Sequence, residues 1–102
     1  MKPGLWGGDL YGIQSAVTGA VKIGRSSDLP SRLSSLQVGS PHRLRLILLV
    51  PNQGHREKEV HRALGPYRTQ GEWFLEHGLG DIPVDIWDHR EAWYIEAPDW
   101  WR

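Results

Sequence analysis

Residues 43–50 read Arg-Leu-Arg-Leu-Ile-Leu-Leu-Val, alternating at first and then continuously apolar. Such a run must be covered on both faces, which the middle of a sheet provides. Alternation predicts Leu44, Leu46, Leu48 and Val50 on one face, with Ile47 and Leu49 on the other. Pro51-Asn52-Gln53-Gly54 then breaks the strand. A chain of 102 residues has room for one domain and one modest core, so the other elements must be arranged around this strand.

Upstream, Leu10-Tyr11-Gly12-Ile13-Gln14 and Val21-Lys22-Ile23-Gly24 read as two short strands. The intervening Ser15–Ala20 carries a Thr18-Gly19 turn signal, which suggests an antiparallel hairpin. Residues 27–36 read as a helix, with Ser27 or Asp28 as cap and Pro30 in the first turn. Leu29, Leu33 and Leu36 fall at i, i+4 and i+7 on its apolar face. Arg32 lies about 100° around the helix from Leu33, free to reach a surface while the leucines hold the core. His55–Leu64 reads as a second helix, with Val60, Ala63 and Leu64 as its stripe, stopped by Gly65-Pro66. The expected order is β-β-α-β-α, an α+β fold. Gly71–Leu75 is short and aromatic, and Trp73 and Phe74 are expected in the core in preference to serving as base-stacking platforms. Neither helix nor strand is favoured for 86–101, which holds four of the six tryptophans: Trp87, Trp93, Trp100 and Trp101.

The zero net charge conceals an asymmetry. Residues 22–68 carry nine Lys or Arg against three Asp or Glu, a balance of +6, and residues 69–102 carry two against eight, a balance of −6. This suggests a working domain at 1–80 and an acidic Trp-rich extension at 81–102 packed on it. The basic stretch suits a polyanion partner, although a solvated surface would look the same. The absence of cysteine excludes disulfides, thiolate metal sites and cysteine nucleophiles. No apolar run is long enough to span a membrane, and the first eight residues do not resemble a signal peptide, so the cytoplasm is the expected compartment.

Four polar side chains can gather in this scheme: Tyr11 on the first strand, Lys22 on the second, Arg32 on the first helix and Glu57 on the second. Tyr11 and Lys22 approach each other if they share a face of the hairpin. Phosphodiester cleavage needs a base for water, a cation on the phosphate and a metal for developing charge, and these residue types can supply them.

Leu10-Tyr11-Gly12-Ile13, Val21-Lys22-Ile23-Gly24-Arg25-Ser26, Arg32-Leu33 with Leu36-Gln37, Glu57-Lys58-Glu59-Val60-His61 and Gly71-Glu72-Trp73-Phe74 stand in this order. Together they resemble the GIY-YIG nuclease superfamily. The likeness is to the branch of phage and meiotically up-regulated proteins whose second motif reads Lys-Ile-Gly. It covers residues 10–75. It implies a small three-stranded antiparallel sheet with flanking helices, and an endonuclease using one divalent ion, Mg²⁺ or Mn²⁺, on nucleic acid, DNA in preference to RNA. It also implies roles for single residues. Tyr11 would be the general base or its relay, and Lys22 would replace the second-motif tyrosine. Arg32 would hold the scissile phosphate with its planar fork, Glu57 would bind the metal, and Gly24 would keep the site uncrowded. A phenol is a weak base at neutral pH, so Lys22 and a metal beside Tyr11 would assist it by favouring phenolate.

Two positions depart from the family pattern. Leu10 stands where the first motif begins with glycine, and Leu36 stands where many members place a histidine four residues after the arginine.

His61, one helical turn after Glu57, faces the same site and could bind metal, act as an acid, or hold the neighbouring strand. A zinc site from His55, Glu57 and His61 lacks the HExxH spacing. Arg25, Arg43, Arg45, Arg56 and Arg62 are candidate backbone-phosphate contacts, Arg25 foremost because it follows Gly24. Two other functions fit the chain. One is a nucleic-acid-binding module with the same fold and little turnover. The other is a protein-interaction module using the acidic aromatic tail, through a homodimer or another protein. The tail could also border the basic face and weaken DNA binding, or its tryptophans could complete the core.

Overall fold

The hairpin forms from β1 (Asp9–Ser15) and β2 (Val21–Ser26), and the apolar run forms β3 (Leu44–Val50) beside β1. In this computed structural model, residues 8–87 are described, together with the backbone of Trp93–Tyr94. Between β2 and β3 lies α1 (Leu29–Val38), whose start follows the expected chemistry: the Asp28 carboxylate accepts from Ser31 N, and Pro30 occupies the first turn. After β3 comes a 3-10 turn at Gly54–Arg56, then α2 (Glu57–Ala63).

The sheet is antiparallel and larger than expected. β4 (Arg68–Gln70) and β5 (Trp73–Phe74) form a small hairpin beside β2, while β6 (Trp93–Tyr94) pairs with β3. The order is β4-β5-β2-β1-β3-β6, with five strands inside 8–87. The α+β class and β-β-α-β-α order hold, but a three-stranded sheet undercounts it. Strands of two or three residues offer no period to read, and β4 is exposed throughout.

A bulge divides the core. Gly12 opposes Leu48 while Ile13 opposes Leu46, so Ile47 is an extra residue in β3. The single-face assignment of Leu44, Leu46, Leu48 and Val50 therefore fails. Leu44 and Leu46 join Tyr11, Ile13, Leu29 and Leu33 under α1, whereas Ile47, Leu48 and Val50 join Leu10, Ile23, Val60 and Leu64 under α2. One inserted residue switches the strand's alternation, so β3 supplies both layers.

Beyond β5, a 3-10 segment (Glu76–Asp81) and α3 (Val84–Trp87) return to the α2 side. Leu79, Ile82 and Ile86 are buried in that layer. Tyr67 donates its hydroxyl to Asp81 at 2.8 Å, and Arg56 pairs with Asp85. The acidic segment thus contributes Ile82 and Ile86 to the same core as Leu10. Residues 88–92 and 95–102, including Trp100 and Trp101, lie outside the described residues, as do the side chains of Trp87 and Trp93. Within the described residues no helix is long and apolar enough to cross a membrane.

Candidate active site at the edge of the second strand

The hairpin register opposes Tyr11 to Gly24 and Ile13 to Lys22. Opposed residues share a face, so Tyr11 and Lys22 project from the α1 side of the sheet. Gly24 is required by what lies over it. A Cβ there would sit 2.5 Å from the Tyr11 hydroxyl oxygen and 2.6 Å from the adjoining ring carbon. The glycine is thus the bed on which the tyrosine ring lies, and the crowding expected at this position comes from Tyr11 itself.

Tyr11 is 1% exposed, in the same buried cluster as Leu29 and Leu33 of α1, with its hydroxyl within reach of that helix. There Arg32, exposed on α1, brings Nε to 3.5 Å from the hydroxyl, the outer limit of a hydrogen bond. That contact, followed by the fields of Glu72 and Glu57, raises the guanidinium pKa and keeps Arg32 cationic. Leu36, at the position of the family histidine, is half-buried against the same cluster as Tyr11.

The rest of the site wraps around the outer edge of β2, where β5 ends. Ile23 donates its N–H to the Glu72 carbonyl at 3.1 Å, and its own carbonyl lies 2.8 Å from His61 Nε2. A carbonyl only accepts, so Nε2 donates this hydrogen bond and Nδ1 is the ring nitrogen left to meet a ligand. Metal-binding histidines are commonly oriented this way, through a backbone carbonyl on the other ring nitrogen. Glu57, His61 and Glu72 each offer a ligand atom, all within 4.8 Å of one another. The donor set of two carboxylates and one imidazole fits a divalent cation. His55 is not part of this group; Glu72 stands in its place.

Glu72 is the residue that a reading of the sequence passes over. It was visible only as part of Gly71-Glu72-Trp73-Phe74, fifty positions from its partner. Lys22 Nζ lies 2.6 Å from Glu72 Oε1 and 6.0 Å from the centre of the Trp73 ring. Lys22 shares the face of Tyr11, as expected, and in addition forms an ion pair with Glu72. The Lys22 hydrogen bond first, and then the charges of Lys22, His61 and Arg32, hold the Glu72 carboxyl below the usual carboxylate range. A depressed folded pKa contributes stability above the unfolded carboxylate range and loses it as pH falls through the folded value. In the absence of metal, Glu72→Gln should be less stable than wild type by under about 1 kcal/mol at pH 7, since Glu72 is 43% exposed. The difference should close as pH drops below about 4, as measured by urea melts across pH.

The five arginines sit on different segments of the chain, Arg25 on β2, Arg43 just before β3, Arg45 on β3, Arg56 in the 3-10 turn and Arg62 on α2. Arg25 opposes Leu10 and Arg45 opposes Gln14, so both project from the face away from Tyr11. This removes the reason for preferring Arg25: following Gly24 in sequence turns a strand side chain to the other face. Arg56 is held by Glu59 as well as Asp85, and it lowers the pKa of both carboxyls. Arg43 and Arg62 are exposed.

No curated protein and no solved structure gives a significant match. A family model, the T5orf172 domain, matches residues 10–101, which takes in all five motifs and most of the acidic segment. On that match the chain belongs to the T5orf172 domain family, a relative of the GIY-YIG proteins.

Proposed function

We propose that this protein is a metal-dependent endonuclease that hydrolyses phosphodiester bonds, in DNA in preference to RNA. The observation that carries this reading is the meeting of two half-sites at one strand edge. Arg32 sits on the Tyr11 hydroxyl, and Glu57, His61 and Glu72 stand within 4.8 Å of one another beside Lys22. Membership of a GIY-YIG-related family supports it.

Arg32 takes the scissile phosphate through its planar fork. Moving to the phosphate also draws its guanidinium away from the Tyr11 hydroxyl, which it otherwise covers. Tyr11, as the phenolate, would then take the proton from the attacking water as the water oxygen bonds to phosphorus, while the P–O bond to the leaving oxygen breaks and that oxygen takes a proton from solvent. Glu57, His61 and Glu72 would hold the divalent ion, which when bound supplies charge stabilisation at the phosphate oxygens. An imidazole among the ligands favours Mn²⁺ over Mg²⁺. Lys22 keeps Glu72 ionised and aimed at its neighbours.

Supercoiled plasmid incubated with Mg²⁺ or Mn²⁺ should be nicked or linearised, with no cutting in EDTA and slower cutting of RNA. The near-complete burial of Tyr11 favours a second reading, a binding module with little turnover. DNA binding without cleavage in either metal would establish that module and overturn the nuclease. Absence of both binding and cleavage would remove both.

A further inference from the structure

α1 covers only part of its face of the sheet. Past its C-terminal end, a cleft of about 400 Å³ opens between the β1–β2 loop, the segment leading into β3, and the β4–β5 hairpin. Leu44 and Trp73 are among the residues that line it, together with Thr18, His42, Gln70 and Leu75. The volume falls within the roughly 300–1,000 Å³ of small-ligand sites, enough for one nucleotide and far too little for a duplex.

Two observations identify its occupant. The first is continuity: Trp73 lines the cleft and pairs across the sheet with Lys22, whose Nζ is also bound to Glu72. The cleft therefore begins one residue from the candidate metal ligands. The second is the chemistry of the walls. Among the described lining residues none is Lys, Arg, Asp or Glu, and the hydroxyls of Ser15, Thr18, Ser40 and Thr69 are engaged within their own segments, so the interior offers the Trp73 indole, the Gln70 amide, the His42 imidazole and the apolar side chains of Leu44 and Leu75. That set suits a neutral heteroaromatic ring and not a phosphate.

We infer that this cleft takes an unstacked nucleobase next to the scissile phosphate, with Trp73 as its wall. The inference rests on the nuclease reading for its biological meaning and deepens it by naming the substrate class. A base inside a duplex cannot enter without leaving its stack, so single strands, flaps and distorted sites become the preferred substrates. Stacking on one aromatic side chain is worth roughly five- to a hundredfold in affinity.

The test is an NMR titration of the full chain with deoxyadenosine monophosphate, with 2-deoxyribose 5-phosphate as the base-free control. The Trp73 indole N–H signal, assigned by its loss in Trp73→Phe, should shift saturably with the nucleotide and not with the sugar phosphate. If Trp73→Phe disturbs the fold, the assignment can be made by isotope labelling on wild type. The exposed pair Gln70→Ala and His42→Ala should weaken nucleotide binding about tenfold with an unchanged melt. No shift, an equal shift with the sugar phosphate, or unchanged affinity in the double variant would overturn the cleft assignment. Nucleotide uptake without plasmid cleavage sinks the nuclease and leaves the cleft standing. Cleavage without uptake sinks the cleft alone.

Discussion

Glu57→Gln is expected to reduce plasmid cleavage by about a thousandfold, because loss of a metal ligand forfeits several kcal/mol of transition-state charge stabilisation, and about 4 kcal/mol corresponds to that factor. The substitution keeps the size and polarity of the side chain. Glu57 begins α2 and is half-buried at the site's edge, while Val60 and Leu64 carry that helix's packing. The melting temperature should therefore stay within a degree or two of wild type. Mn²⁺ affinity, followed by the ion's magnetic resonance signal, should fall in parallel. A variant that cuts at the wild-type rate would remove Glu57 from the metal site. A variant that loses activity only by unfolding would make it a structural residue.

Gly24→Ala is expected to cost about 3 kcal/mol, the upper part of the range for overpacking, since the new methyl would meet a rigid aromatic ring at 2.5–2.6 Å. For a domain of this size that is a fall in melting temperature of more than about 10 °C. Cleavage should be lost with it, because relief of the clash requires Tyr11 to leave its place beside Arg32. A double-mutant cycle with Tyr11→Leu isolates the contact. Removing the ring removes the obstacle, so the two substitutions together should be less damaging than their sum by more than about 1 kcal/mol. Additive effects would mean that Gly24 is needed for backbone reasons of its own.

How much of this was legible in the sequence differs between its parts. The three long strands, the capped helix and the second helix all appear where residues 10–64 predict them. Tyr11, Lys22, Arg32, Glu57 and His61 do converge. Lys22 also meets a carboxylate fifty residues away. Glu72 was present in a recognised motif yet carried no assigned chemistry, for a lone glutamate before two aromatics looks like any solvated turn residue. The arginines were the least legible. Charge is visible in a sequence, but the direction of a side chain from a strand depends on register.

By itself the sequence determined whatever is encoded within a few consecutive residues. The Asp28 cap with Pro30, the leucine spacing of α1, the turn at Thr18-Gly19 and the apolar run of β3 each draw on forces acting over one or two turns of chain. Only the tertiary structure decided the bulge at Ile47, which sends one strand's leucines into two different core layers. It alone decided the Lys22–Glu72 and Arg56–Asp85 pairs, the laying of the Tyr11 ring on Gly24, and the cleft beside Trp73. Each of these joins groups far apart along the chain, or depends on which face a register turns outward. Such pairings form only after loop closure has brought whole elements together, and no local pattern records the outcome.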